Sequence, residues 1–457
     1  MQGPQSELPV VHRCDTCNTI DVAESAIRQH SMRHPGSRHG TRFWTVSHAG
    51  AFLALHGTCR LHHFFVSGVS LRTHFTKEAS VKIKWIAPIV GLLLLPTACD
   101  SQAASEDRTS TQDLTSFQTV VDDAMAPVTD WAGPTETPTP PTDISIAVVV
   151  CSGSVSGCVR QADGVTQAGE ALGWTVTRFD GKGDPVGQNQ AMTQAINSGV
   201  DAIILAATDP VPLSGAIELA ASRGIPVGAA GLGIAATDGV LFDVAPDYTL
   251  WGDQLGSWIV TDSGGTANFL PTVDREFPSS PAIADAMVTA VDRCDECVVQ
   301  DTQQFVVTDI GNGLGQRIAS ALQAEPSVDY VSGAFDSAAA DMVPAMGNSG
   351  LSDRVTLVSC VGAPQNLGFI RDGNIQAADV VQDDVFLGYG AVDQMIRVLS
   401  GQPLWESPGV TDDRLRYSQG APSRLLTIDN VGEITDQYWV AENGYVDRYL
   451  ELWGVAP

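Results

Sequence analysis

The chain has no histidine after His74, because all nine of its histidines lie between His12 and His74. The part without histidine also has no G-x-S-x-G motif, so serine triads and histidine acid–base catalysis lack their usual residues there. Zinc is unexpected as well, since no second cysteine pair lies near Cys294 and Cys297. We therefore expect that this part is not an enzyme and holds no metal or cofactor.

Lysine is almost missing from the same part of the chain, and the charge changes sign. Residues 1–98 carry 10 Lys and Arg against 5 Asp and Glu, whereas residues 99–457 carry 15 against 48, with Lys182 as the one lysine. Two such different compositions rarely belong to one folded unit. The acidic part would repel nucleic acid, so we expect no nucleic-acid partner.

A short apolar segment separates the two parts. In residues 81–98, Lys82 and Lys84 precede the apolar run 86–95. That run is shorter than the roughly 20 residues that span a bilayer, and the pattern is typical of an export signal. Because such a signal belongs at the start of a chain, we interpret Val81 as the natural start, encoded by GUG. Residues 1–80 are then an upstream extension.

The end of this segment, L-P-T-A-C at 95–99, resembles a bacterial lipobox. The resemblance implies that Cys99 carries a lipid and anchors an exported protein to the membrane by that lipid alone. Pro96 departs from the usual leucine, and ordinary secretion is the alternative. Residues 99–142 are rich in Ser, Thr, Asp and Pro, which predicts a disordered tether.

A possible zinc finger lies in the upstream part, where Cys14, Cys17, His30 and His34 have the spacing C-x2-C-x12-H-x3-H. Asp21 stands where a finger needs an apolar core residue. The finger would also precede the cleavage site of an export signal. We therefore expect no metal site here.

From residue 144 onward, strands and helices alternate. The β-branched run 144–150 predicts a buried strand, and 161–173 predicts an amphipathic helix that ends in glycine. The cycle repeats along the chain, which predicts an α/β protein with two doubly wound, parallel-sheet (Rossmann-like) lobes, a hinge of several strands and a ligand cleft. We expect an N-terminal lobe at 143–240, completed by about 383–410. The C-terminal lobe is expected at 241–382, completed by about 420–457.

Two segments carry a family resemblance. These are GVDAIILAATDPVPLSGAIELAASRGIPV (199–227) and VGAPQNLGFIRDGNIQAADVVQDDVFLGYGAVD (361–393). From 143 to about 404 the chain resembles type I periplasmic binding proteins, the ribose- and galactose-binding-like group that serves ABC importers. The resemblance implies an extracytoplasmic, monomeric receptor that passes a small molecule to an ABC permease.

The family's ligand positions map onto strand ends of this sequence. Gln382 matches the family residue, whereas Gly231 and Leu232 replace an acid and an arginine, Phe335 replaces an asparagine, and Cys360-Val361 replaces a Phe-Asp pair. The remaining expected ligand-binding residues are Ser152, Ser154, Thr208, Asp209 and Asp336. Ala206 replaces a further asparagine. These replacements leave few partners for a polyol and favour a ligand with an apolar or aromatic face.

The alternative is that this alignment slips by one or two residues at the strand ends. Arg275 could then supply a cation and Phe277 a stacking face. A lone loop arginine is otherwise more often a solvated charge.

Five cysteines follow Cys99 in the chain. Export to an oxidising compartment favours disulfides. Cys294 and Cys297 suit a local bridge, because C-x-x-C lacks a thioredoxin-like context here. Cys151 and Cys158 could close the first cleft loop and leave Cys360 free, although one sequence does not decide the pairing.

Three other functions compete with import. A sensory receptor component would share the fold and would be distinguished by a neighbouring kinase gene instead of permease genes. A repressor of the lactose-repressor type would need a basic helix-turn-helix before the core, and the sequence has an acidic segment there. An enzyme would need the catalytic residues that are missing. The simplest expectation is a solute receptor.

Overall fold

The computed structural model describes residues 113–237, 239–434 and 437–455. The zinc-finger pattern, the export signal and Cys99 lie outside the described residues. Among the helices of the described part, none combines the length and apolarity needed to cross a membrane.

The first lobe is a parallel sheet with the strand order β2-β1-β3-β4-β5. β3 is fully apolar and β1 is apolar after Ser145, and both lie inside the sheet, as expected of strands covered on both faces. Helices pack on both faces. The strands are β1 (Ser145–Val150), β2 (Thr175–Asp180), β3 (Ala202–Ala206), β4 (Val227–Ala230) and β5 (Asp243–Val244), and the helices are α2 (Ser156–Ala171), α3 (Pro185–Asn197) and α4 (Ser214–Ser222).

The second lobe has the strand order β13-β12-β11-β10-β6-β8, in which only the β12–β13 pair is antiparallel. Its strands are β6 (Asn268–Leu270), β8 (Val298–Val299), β10 (Tyr330–Ser332), β11 (Thr356–Val361), β12 (Gln376–Gln382) and β13 (Ser423–Thr427). Its helices are α5 (Tyr248–Asp262), α6 (Ser279–Val291), α7 (Leu314–Ala324), α8 (Asp336–Asn348) and α9 (Pro364–Arg371). A small parallel pair, β7 (Thr272–Asp274) with β9 (Gln303–Phe305), extends it. The expected α/β fold with two doubly wound lobes is confirmed.

From the sequence, residues from about 420 to 457 were expected to complete the second lobe. Only some of them do. β13 joins the second sheet, but α11 (Tyr445–Leu452) packs on the first lobe beside α10 (Asp384–Leu399). The reason is an aromatic stripe, since Tyr445, Tyr449 and Trp453 follow each other every four residues and contact Tyr389.

The segment 113–142, which we call the N-terminal strap, also differs from the expected disordered tether. It contains α1 (Thr115–Met125), whose Phe117, Val121 and Ala124 are buried in the core of the second lobe. Arg424 Nε donates to the Met125 carbonyl oxygen over 2.8 Å. Apolar residues at positions 117, 121 and 124 form one helical face, and that periodicity outweighs the polar composition of the segment.

The second half of the strap binds the first lobe. Trp131 packs edge-on against Tyr449 and Phe386, with ring centroids 5.2 and 6.2 Å apart. Trp174 Nε1 donates to the Pro141 carbonyl oxygen, and Arg397 donates to that of Glu136, each over 2.9 Å. The strap therefore connects both lobes, in addition to the chain segments that pass from one sheet to the other.

We predict that Phe117→Ala lowers the free energy of unfolding by about 3–5 kcal/mol, because it leaves a cavity in the core of the second lobe. Urea denaturation followed by fluorescence measures this change. Ser116→Ala, an exposed position on the same helix, is the control and should change stability by less than about 0.5 kcal/mol. Equal midpoints for the two variants would mean that the strap is a loose tether.

Candidate ligand-binding cleft

A cavity lies between the lobes at the C-terminal ends of their parallel strands, where ligands of doubly wound sheets bind. The cavity has a volume of about 70 Å³. Its walls are Val155, Ser156, Gly157, Cys158, Gln161, Ala207, Gly231, Tyr248, Trp251, Phe277, Ser279, Ser280, Ile283, Ala334, Phe335, Asp336, Ser337, Cys360, Val361 and Gln382.

The two lobes touch around this cavity. A Cβ on Gly157 of the first lobe would lie 3.2 Å from Val361 Cγ1 of the second. At the loop after β2, a Cβ on Gly183, next to the exposed Lys182, would lie 3.3 Å from Val307 Cγ1. The cavity is therefore bounded by close contacts between lobes.

Aromatic rings form the apolar walls. The rings of Phe277 and Phe335 meet at 88° with centroids 5.4 Å apart, and those of Tyr248 and Trp251 meet at 85° with centroids 4.8 Å apart. Phe305 packs behind Phe335. Edge-to-face pairs fix ring orientations, so these walls are preformed.

Two amides, from Gln161 of α2 and Gln382 at the end of β12, form the polar wall. Both amide nitrogens donate to Oδ1 of Asp384, while Arg160 Nη1 lies 3.1 Å from Oδ2. Arg160 also stacks on Tyr438, with its guanidinium carbon 3.8 Å from the ring centroid. Burial raises the pKa of Asp384 to about 7, and the charge of Arg160 opposes that rise.

Gly231 explains how Gln161 reaches the cavity. Its φ of +77° lies in the left-handed region that favours glycine, and a Cβ there would lie 2.3 Å from Gln161 Nε2. The missing side chain at Gly231 thus leaves room for the amide of Gln161.

A buried carboxylate holds the loop that contains Gly231. Asp243 of β5 accepts backbone N–H groups of Leu232, Gly233 and Ile234 over 2.7–3.3 Å. Burial raises the pKa of Asp243 to about 6, although these bonds favour the carboxylate. On the other side of the loop, Tyr248 donates to the Gly231 carbonyl oxygen.

A carboxyl pair lies beneath the opposite wall. Asp336, the first residue of α8, accepts the backbone N–H of Ala363, and its carboxyl shares a proton with that of Asp379 on β12. Burial raises the pKa of Asp336 to about 6, and burial together with the charge of Asp336 holds the pKa of Asp379 well above its usual range. Each carboxyl of the pair therefore disfavours ionisation of the other.

Six of the residues expected from the sequence line the cavity: Gly231, Phe277, Phe335, Asp336, Val361 and Gln382. Their roles as ligand-binding residues remain predictions. Five of the six come from the direct alignment with the family. Phe277 comes from the alternative in which the alignment slips at the strand ends.

The serine and threonine positions expected at the first two strand ends lie elsewhere. Ser152 and Ser154 bond to each other over 2.8 Å, and Thr208 is fully buried and donates to backbone carbonyls. Asp209 accepts the N–H of Val211. At these ends Ser156 and Ala207 line the cavity instead, a shift of one or two residues.

Leu232 and Arg275 do not line the cavity either. Leu232 packs in the core of the first lobe. Arg275 donates to Gln304 Oε1 over 3.0 Å at the surface, so it supplies no cation to the cleft.

Gln161, Tyr248 and Trp251 were missed in the sequence. The helix that carries Gln161 begins at Ser156, five residues before the expected start, because the Ser- and Gly-rich stretch around Gly157 was interpreted as a loop. Gly231 was the signal in the sequence that could have indicated Gln161, because a glycine at a strand end leaves room for a side chain from another element. Tyr248 and Trp251 lie in the first turn of α5, a helix whose bounds the sequence did not predict.

The structure pairs Cys151 with Cys158 and Cys294 with Cys297, and leaves Cys360 as a buried thiol whose Sγ donates to the Ala334 carbonyl oxygen. The first bridge closes the loop that leads into the cavity wall. Within the described residues no group of three or more His, Cys, Asp or Glu is arranged to hold a metal ion.

The raised pKa values predict how stability depends on pH. A carboxyl whose folded-state pKa lies above its unfolded value binds more protons when folded, so its contribution is present below about pH 4 and is lost as the pH rises through 6. We expect Asp379→Asn to weaken this loss, by about 1.4 kcal/mol for each pKa unit removed. The asparagine can donate to Asp336 as the protonated acid does.

Urea denaturation between pH 4 and 8 measures this effect. Asp372→Asn, at an exposed position of the same lobe, is the control and should keep the slope of the unmodified protein. The same slope in Asp379→Asn would contradict the shared proton.

Comparisons with known proteins agree with this architecture. The model of the periplasmic binding protein domain matches residues 146–403. No curated protein matches the chain significantly.

Several solved structures share the fold. An ABC transporter solute-binding protein from Agrobacterium vitis with bound allitol is 19% identical, with a TM-score of 0.56 over 64% of this chain and 98% of that chain. A sugar ABC transporter protein from Yersinia enterocolitica is 18% identical, with a TM-score of 0.57 over 70% and 97%. A 5-methylthioribose transporter solute-binding protein from Thermotoga lettingae is 21% identical, with a TM-score of 0.54 over 70% and 97%.

At these identities the likeness to solved structures shows the fold alone. The family match is broader evidence, because it covers more than half of the chain and begins and ends within the two lobes described above. This chain belongs to the periplasmic binding protein domain family.

Proposed function

We propose that this protein is an extracytoplasmic receptor that captures a small molecule between its lobes and delivers it to an ABC importer permease. The observation that carries the proposal is the cavity enclosed by both lobes at the strand ends. The solved structures with the same fold include solute-binding proteins of ABC transporters. As proposed, the receptor works as a monomer.

Delivery requires that the permease distinguish loaded from empty receptor. Residues of both lobes surround the cavity, so a ligand held there stabilises the closed arrangement by contacts that an open cleft cannot make. Lobe closure then presents a surface that the permease can recognise.

The ligand that we propose has an apolar or aromatic face and is not a simple free monosaccharide. Phe277, Phe335, Trp251 and Ile283 supply extensive apolar wall. A polyol needs many fixed hydrogen-bonding partners, and a buried hydroxyl without one costs about 1–3 kcal/mol.

We predict that Phe335→Ala weakens ligand binding by roughly ten- to a hundredfold, because it removes a ring face worth about 1.5–3 kcal/mol. Gln382→Ala should weaken binding less, near the 0.5–1.5 kcal/mol of a neutral hydrogen bond. Calorimetry with a panel of sugars, nucleosides and aromatic metabolites measures both effects.

Phe369→Ala is the matched control, because Phe369 packs against the same core but does not line the cavity. It should leave affinity unchanged. Submicromolar binding of ribose, glucose or galactose that is insensitive to Phe335→Ala would contradict the proposed ligand class. If no member of the panel binds at all, the receptor function itself fails.

We further propose that a lipid on Cys99 attaches the protein to the outer face of the membrane, as the lipobox-like sequence suggests. A multiply acylated terminus stays on the membrane, since each buried CH2 contributes about 0.8 kcal/mol. We predict that Cys99→Ser moves the protein from the membrane fraction to the soluble fraction of native cells. Unchanged fractionation would argue against lipidation.

A further inference from the structure

The amides of Gln161 and Gln382 meet across the cleft on one carboxylate. Gln161 belongs to the first lobe and Gln382 to the second, and each amide nitrogen donates to Oδ1 of Asp384. Because they share this acceptor, the two amides lie side by side. Gln161 is 2% exposed and Gln382 is 4% exposed.

Asp384 orients both amides, since each amide nitrogen donates to it. A carboxylate only accepts hydrogen bonds, and Arg160 beside Oδ2 favours the ionised form. In the structure both NH2 groups point to Asp384, so the two amide oxygens point away from it. Within the described residues, neither Gln161 Oε1 nor Gln382 Oε1 has a hydrogen-bond partner.

The other groups around the cavity restrict the charge of the ligand. The residues that line it include no lysine or arginine, and Asp336 contributes a carboxyl that shares one proton with Asp379. Trp251 Nε1 is a buried donor that has no acceptor in the described part of the chain. Beside the cavity there are thus two unpaired amide oxygens and one unpaired N–H donor, together with serine hydroxyls that can donate or accept, and no positive charge.

We propose that Asp384 is a positioning residue that sets the specificity of the cleft, which then selects a flat, neutral or cationic ligand that donates hydrogen bonds to both glutamines. This inference rests on the proposed solute-binding function and names the ligand class of the same site. Each unpaired amide oxygen is satisfied only by a ligand N–H or O–H, so ligands that only accept hydrogen bonds, and anions, leave both oxygens unpaired and bind more weakly.

Four probes of one shape and size separate these properties. Benzamidine is a cationic donor, benzamide both donates and accepts, acetophenone only accepts, and benzoate is an anionic acceptor. Their dissociation constants can be compared by saturation-transfer NMR on the intact receptor. We expect benzamide and benzamidine to bind at least tenfold more tightly than acetophenone and benzoate.

Variants assign this preference to the glutamines. Gln161→Met and Gln382→Met keep the shape of the side chain and should weaken benzamide about tenfold while leaving acetophenone unchanged. Gln254→Met is the matched control, because Gln254 is also buried with an unpaired carbonyl oxygen but does not line the cavity. Its ratio of benzamide to acetophenone affinity should equal that of the unmodified receptor.

Asp384→Asn tests the positioning role itself. Its amide can accept or donate, so the glutamines can turn, and the preference for benzamide over acetophenone should shrink even where overall folding is retained. Circular dichroism monitors folding. A merely structural role would weaken both probes equally.

Equal affinities for benzamide and acetophenone, tighter binding of benzoate, or an unchanged ratio in both methionine variants would overturn the proposal. Failure of all four probes to bind would also overturn it. If a sugar or polyol binds to the same preparation in that case, the receptor function stands and only the ligand class is wrong.

Discussion

The cleft depends on the carboxylate of Asp384, which is fully buried where the chain passes from β12 into α10. A buried charge must be paired and hydrogen-bonded, and here Arg160 and two amides satisfy this requirement. Because these partners come from α2 and from the end of β12, one group fixes the position of both lobes and the chemistry of the wall between them. Removal of Arg160 would leave this charge without its counter-ion in the interior.

Buried carboxylates that accept backbone N–H groups fix the loops around Asp384 and its partners. Asp243 accepts three consecutive N–H groups of the loop after β4, and that loop contains the glycine over which Gln161 lies. Asp336 similarly accepts the N–H of Ala363 after β11. Each carboxyl is buried, which raises its pKa, and each holds one strand end at the cavity. The cleft is therefore built on backbone positions that carboxylates fix.

The alternation of strands and helices was sufficient to predict the fold, because central parallel strands such as β1 and β3 are continuous apolar runs. The cavity was predicted only in part. Phe335 follows β10 and Gln382 ends β12, two strands that the sequence predicts. Gln161 instead lies on a helix whose first turn falls in a Ser- and Gly-rich stretch. The hydrogen bond between Gln161 and Asp384 joins residues more than two hundred positions apart in the chain. Local periodicity carries no information about such a contact.

The N-terminal strap was predicted wrongly for a different reason. Its polar composition suggested disorder, and the apolar face of α1 was overlooked. Segment 113–142 is polar on average, yet Phe117 and Trp131 attach it to different lobes. The strap adds a connection between the lobes that does not pass through the sheets. It should therefore restrain how far they separate when the cleft opens.

The exposed Lys182 lies beside Gly183, at the place where the first lobe meets Val307 of the second, and it is the one lysine among residues 99–457. An amine-reactive fluorophore would thus attach to a single side chain in that part of the protein, at the seam between the lobes. Lys182 stays exposed where the seam has formed, and the surface of the second lobe then lies beside the attached fluorophore. Because lysine is scarce, a fluorophore on Lys182 can report the closure of the two lobes without an engineered residue.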